Sequence, residues 1–129
     1  MQPGQANVLP ILWVSFFSAH VLFAGVSTVV APVADLGPAA AVFGLVALLP
    51  AGLAAEGGIL ARAITPAQSW FIVRFAMAES AAILGLVAFL TSGSHLVQLG
   101  CAALGLVAHL LSFPSEGALA RYAATRSGR

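Results

Sequence analysis

Glu79 stands near the middle of an apolar, helix-length segment, Ser69–Leu90. A carboxylate at bilayer depth costs roughly 2.5–3.5 kcal/mol on insertion scales, so it persists where the surroundings compensate it. Such an acid can bind and release a proton, pair with a cation or metal, or hydrogen-bond across helices. Two histidines occupy comparable positions, His20 within Val8–Val30 and His109 within His95–Phe113. A second constellation is Glu56 with Arg74, which lie equally far before and after Thr65.

The elements that must position these groups follow from composition. The chain has 129 residues, 60% hydrophobic and 7% charged. A soluble domain carries about 25% charged residues, so this chain cannot clothe a water-facing surface. Lipid is the solvent that fits. A helix needs about 20 apolar residues to cross the ~30 Å hydrocarbon core. Four segments qualify: residues 8–30, 39–60, 69–90 and 95–113, followed by a short tail, 114–129. From Ser80 to Ser115 there is no Asp, Glu, Lys or Arg. Turns are expected at Pro32–Pro38, at Thr65-Pro66 and at Thr91–Ser94. In the tail, Pro114-Ser115-Glu116 reads as a helix start with Ser115 as its cap. Beyond it a topology anchor with a frayed end is expected, with Arg121 and Tyr122 at headgroup level. The first segment lacks a basic n-region and exceeds a usual h-region, so it is expected to be retained.

The expected fold is therefore all-α: an integral membrane four-helix bundle in up–down order, forming a single transmembrane domain. Arg62, Arg121, Arg126 and Arg129 fall on one side of such a bundle, and the opposite loops hold Asp35 and His95 without arginine. The positive-inside rule then puts both the N and C termini in the cytoplasm of a cell whose inner (plasma) membrane holds the chain. With a formal net charge of +1, nothing suggests nucleic-acid binding. Cys101 lies in an apolar run and reads as a small core residue.

Counting residues from the turns assigns depths. Glu56 and Arg74 should sit opposite each other, about 9 Å inside the turn residues at 1.5 Å rise per residue, and are the candidate structural ion pair. Glu79 falls level with Ala51, flanked by Pro50 and Gly52. An interior proline frees the carbonyl four residues earlier, here that of Val46, so a helix break is expected at Pro50 and Gly52. His20 matches the depth of Ala51, and His109 lies close to that of Glu79. Three ionisable groups from three helices thus share a layer near the midplane.

Three readings of that layer are open. Glu79 exchanges a proton with a histidine as relay, since removal from water favours the neutral acid in general. Alternatively His20 and His109 ligate a b-type haem, or join Glu79 around a metal. Or the groups hydrogen-bond across helices and fix the register of the bundle. Lone histidines give no reason to assign a cofactor, and none is assigned; nor is a metal site. No nucleophile–base pair or phosphate loop is present, so an enzyme is not expected. Ala47, Ala51 and Ala55 recur at four-residue spacing, as do Ala78 with Ala82 and Ala81 with Gly85. Such small-residue faces let helices approach closely in lipid. They also admit a homo-oligomer or another membrane-protein partner besides the lipid bilayer.

The stretch Ala76-Met77-Ala78-Glu79-Ser80-Ala81-Ala82-Ile83-Leu84-Gly85-Leu86-Val87 resembles the carboxylate helix of rotary ATPase proteolipids, the c subunits, over about twenty residues. The resemblance implies that Glu79 carries a translocated proton. Over nearly its whole length the chain resembles a group of small uncharacterised bacterial four-helix membrane proteins. The residues that carry this likeness are Ile72, Arg74, Ala76 and Glu79, with Leu90-Thr91-Ser92-Gly93 as the helix exit. That likeness implies a four-helix membrane fold and no particular activity. The alternative to proton or ion handling is a non-transporting structural or accessory subunit of a membrane complex.

Overall fold

The computed structural model describes residues 8–29 and 37–127, apart from the side chains at 27 and 28. Val30, Pro32, Asp35 and Arg129, which entered the expected first span, outer turn and charge pattern, lie outside the described residues. All regular structure among the described residues is helical. In chain order the helices are α1 (Val8–Val29), α2 (Pro38–Glu56), α3 (Gly58–Ala63), α4 (Ala67–Ser92), α5 (His95–Leu111) and α6 (Glu116–Ser127).

The boundaries have local causes. Pro38 opens α2, where a missing N–H is tolerated. Gly93 ends α4 in the left-handed region (φ 71°) and donates its N–H to Phe89 O at 2.7 Å, a conformation that glycine adopts without a Cβ penalty. Ser94 caps α5 by accepting from Val97 N–H, and Ser115 caps α6 by accepting from Ala118 N–H at 3.2 Å. These caps satisfy N–H groups that a helix start leaves without partners.

The second segment departs from expectation. α2 runs unbroken through Pro50 and Gly52, and the interruption falls at Gly57 (φ 66°), whose N–H bonds Leu53 O. The short α3 follows. Proline is contained in α2 because the rest of the Ala- and Leu-rich helix continues on both sides of it. Two adjacent glycines, Gly57-Gly58, give the chain a cheaper place to turn. The fourth segment also differs. Its helix ends at Leu111, leaving Phe113 outside it, and the chain bends by 81° into α6.

α4 is the central element and packs on α1, α2 and α5. Its buried face of Ala78, Ala81, Ala82 and Gly85 is small. Ala47, Ala51 and Ala54 of α2 meet Ala78 and Ala81 in one cluster with Cys101 and Ala108 of α5. An added Cβ at Gly85 would stand 2.6 Å from Cys101 Cβ, so α4 and α5 touch backbone to backbone there. A second cluster joins Leu9, Ala61, Trp70, Phe71, Phe75, Ala118 and Tyr122. It gathers the start of α1, α3, the start of α4 and α6 at one end. The end of α5 lies against the end of α2: Ser112 Oγ–H donates to Ala108 O at 2.7 Å and stands 3.3 Å from Ala54 O. The long helices therefore alternate in direction.

Where α2 meets α4 and α5, size is distributed opposite to a water-soluble core. Ala47 and Ala54 are fully buried, whereas Leu49 of the same helix is 69% exposed. Ile11, Leu22, Leu45 and Leu96 also face outward. Burying alanine and exposing leucine suits packing in lipid, where no hydrophobic drive separates the two. Three helices are long and apolar enough to cross a membrane, or up to four if α5 and α6 form one bent span. By itself α5 has 17 residues, about 25 Å at 1.5 Å per residue.

Candidate functional site

His20 enters the bundle from α1, which lies against α4 and α5. The side chain is 3% exposed. Its Nδ1 is 3.0 Å from Phe16 O on its own helix, and its Nε2 is 3.3 Å from Ala78 O on α4. Both ring nitrogens thus face carbonyl oxygens, which only accept. A neutral imidazole has one N–H and can satisfy one of them; an imidazolium satisfies both. Gly105 of α5 makes room for this contact, because a Cβ there would lie 2.6 Å from Ala78 O and 2.9 Å from His20 Nε2.

His109 is fully buried. Its Nε2 lies 2.8 Å from Trp13 O, which requires the proton on Nε2, and Trp13 Nε1–H donates back to His109 O at 3.0 Å. This reciprocal pair binds α1 to α5. The imidazole is boxed by Trp13 and Phe75, with ring centroids 5.0 and 5.4 Å away. With Nε2 committed, Nδ1 is left buried without a partner. The His20 and His109 rings are 5.3 Å apart, centroid to centroid.

Glu79 is half-buried, between the buried Ala78 and the half-buried Ser80. No hydrogen bond holds its carboxylate among the described residues, and Ser80 Oγ–H donates instead to Ala76 O. His20 is the ionisable group within electrostatic reach, although no N–O approach within 4.0 Å joins them. His109 packs at a tilt of 47° against Phe75, one helical turn before Glu79. The layer read by counting residues therefore exists as a chain of neighbours, Glu79 to His20 to His109, rather than as three groups around one point. The expected opening at Pro50 and Gly52 does not contribute. Ala51 is the residue of that stretch at the α4 interface, while Gly52 is exposed with nothing within 4 Å of an added Cβ.

No protein-family model, curated protein or solved structure matches the chain.

The Glu56–Arg74 ion pair is replaced by a different arrangement. Arg74, 2% exposed, donates Nε–H to Ala54 O at 2.6 Å, and Nη2–H to Ala55 O at 3.3 Å and Leu111 O at 3.1 Å. Its guanidinium lies over the Trp70 ring, 4.7 Å from the centroid. Glu56 Oε2 accepts instead from Ile59 N–H at 2.9 Å. The two residues share a depth, as counting requires, but the ends of α2 and α5 offer orphan carbonyls that a buried guanidinium satisfies. Glu56 meets orphan N–H groups at the start of α3. Trp70 Nε1–H completes the junction by donating to Gly57 O at 2.8 Å.

Two participants escaped the sequence reading. Trp13 anchors His109, and Gln98, 1% exposed, ties α5 to α1 through Nε2–H to Phe23 O at 2.8 Å. Gln98 is the one amide in the fourth apolar run, and that was the available signal. Among the described residues no group of three His, Cys, Asp or Glu is arranged to hold a metal ion.

Proposed function

We propose that the chain is a multi-pass protein of a cell's inner membrane in which Glu79 takes up and releases a proton beside His20. Its spans would be α1, α2, α4 and α5 in up–down order. Arg62, Arg121 and Arg126 belong to α3 and α6, which pack together at one end, and the positive-inside rule makes that end cytoplasmic.

One observation carries the reading. His20 faces two carbonyl acceptors and has Glu79 within electrostatic reach, while among the described residues no hydrogen bond holds the Glu79 carboxyl group. A cationic His20 with an anionic Glu79, and a neutral His20 with a neutral Glu79, are both electrically balanced. These two states hold the same number of protons, so a proton passes between Glu79 and His20 without changing the net charge of the layer, whereas uptake from outside adds one positive charge to it.

A second reading is favoured by the Trp13–His109 pair, which is a purely structural tie. On that reading the protein is a non-transporting accessory subunit or homo-oligomer, and the polar groups only fix register. The readings separate in proteoliposomes. Under an imposed pH gradient the wild type should conduct protons and react with a hydrophobic carbodiimide, and Glu79→Gln should lose both. Equal flux from Glu79→Gln and wild type would remove the proton reading. Loss of assembly alone would favour the accessory one.

A further inference from the structure

The pocket between α2, α3, α4, α6 and the end of α5 has a volume of about 470 Å³, and its walls include Glu56, Trp70, Arg74, Arg121, Tyr122 and Thr125. It shares no residue with the Glu79 layer. Arg74 and Arg121 come from different helices and are close enough to repel each other. Among the described residues neither has an acidic partner within 4.0 Å. Glu56 also lines the pocket, but one of its oxygens caps α3 through Ile59 N–H. Its charge offsets one arginine of the two.

The donor inventory decides what such a pocket accepts. Three carbonyls fix Arg74 through Nε and Nη2, and Trp70 supports its plane. No hydrogen bond holds Nη1, and Nη1 is not among the fully enclosed unpartnered atoms, so it keeps accessible surface. The neighbouring hydroxyls are committed, Tyr122 Oη–H to Ile64 O and Thr125 Oγ1–H to Arg121 O. The donors left over are Arg74 Nη1, held in a buried guanidinium, and the guanidinium of the exposed Arg121. With Nε–H and both Nη2 hydrogens committed, Arg74 keeps the N–H groups of Nη1, and these, beside a second arginine lining the same pocket, suit an oxyanion.

We propose that this pocket binds a phosphate group, with Arg74 Nη1 as the fixed donor and Arg121 as the closing one. The carbonyls that hold Arg74 end α2 and α5, which sets the pocket at the edge of the bundle rather than at mid-depth. Two sources have this chemistry, the headgroup of an anionic phospholipid and a soluble phosphate.

The test uses the full chain in a neutral detergent, titrated separately with short-chain phosphatidylglycerol, short-chain phosphatidylcholine and inorganic phosphate. Binding is read as a saturable rise in Tm and by native mass spectrometry. Saturable binding of phosphatidylglycerol, tighter than phosphatidylcholine, supports a lipid headgroup. Saturable binding of inorganic phosphate that competes with the lipid supports a soluble source. In either case Arg121→Gln should weaken binding about tenfold or more, the effect of one lost charge-assisted hydrogen bond. Arg121 is exposed, so this variant should keep the wild-type fold, checked by circular dichroism. Absence of saturable binding by both phosphatidylglycerol and inorganic phosphate, or unchanged affinity in Arg121→Gln, overturns the proposal.

Discussion

Replacing Gly57 by alanine tests the junction that places Arg74 and, through α4, the rest of the site. Gly57 has φ 66°, and its added Cβ would stand 2.9 Å from Arg74 Nε, 3.1 Å from Arg74 Cζ and 3.1 Å from Trp70 Cζ2. The left-handed conformation costs an L-residue about 1–2 kcal/mol. Nε cannot simply swing away, because it is held to Ala54 O at 2.6 Å. Displacing it weakens a bond from a charged group, a loss of about 1.5–3 kcal/mol if complete. Gly57→Ala should therefore destabilise by about 2–4 kcal/mol. Gly52→Ala is the matched comparison. Gly52 is helical and has nothing within 4 Å of an added Cβ, so alanine should stabilise by about 0.5–1 kcal/mol through helix propensity. Reversible unfolding in mixed micelles, driven by rising SDS fraction, measures both. The midpoint should fall for Gly57→Ala and rise slightly for Gly52→Ala. Equal midpoints, or the larger loss at Gly52, would refute a chain that turns at Gly57 and runs straight past Pro50.

Gly105→Ala should destabilise by about 1–3 kcal/mol, as overpacking does. Its Cβ would meet Ala78 O at 2.6 Å and His20 Nε2 at 2.9 Å, so proton flux in proteoliposomes should fall with stability. Tyr122→Phe removes the hydroxyl that donates to Ile64 O at 3.0 Å and should cost about 1 kcal/mol. Because α6 then docks less firmly on α3, tryptic cleavage at Arg121 and Arg126 should be faster than in the wild type. Unchanged cleavage would mean that the bond does not hold α6.

Depth along the helices was readable in the sequence, and direction around them was not. Proline, glycine and serine mark most ends, so the long helices fall near their expected limits. Counting from Thr65 put Arg74 level with the end of α2, where Ala54 O and Ala55 O receive it. The partner was misassigned because a backbone carbonyl leaves no trace in composition, whereas a nearby carboxylate does. Gly57 was overlooked for a related reason. A Gly-Gly pair permits a left-handed turn but does not require one, and here Trp70 and Arg74 from α4 complete it. Pro50 looked like the stronger breaker, yet a long apolar helix accommodates it. Likewise the expected frayed tail is the docked helix α6, held by a Tyr122 whose partner lies on the turn before α4. Counting put His20 and His109 in one layer without saying that they touch; their rings lie 5.3 Å apart, and Gly105 leaves room for the His20 imidazole beside Ala78 O.

The most direct measurement of the Glu79–His20 account is an infrared difference spectrum of the reconstituted protein across a pH titration. The account predicts a protonated-carboxyl band that grows on acidification, is absent in Glu79→Gln and shifts its midpoint in His20→Phe. A Glu79 signal that does not change with pH, or a midpoint indifferent to removal of the imidazole, would contradict it.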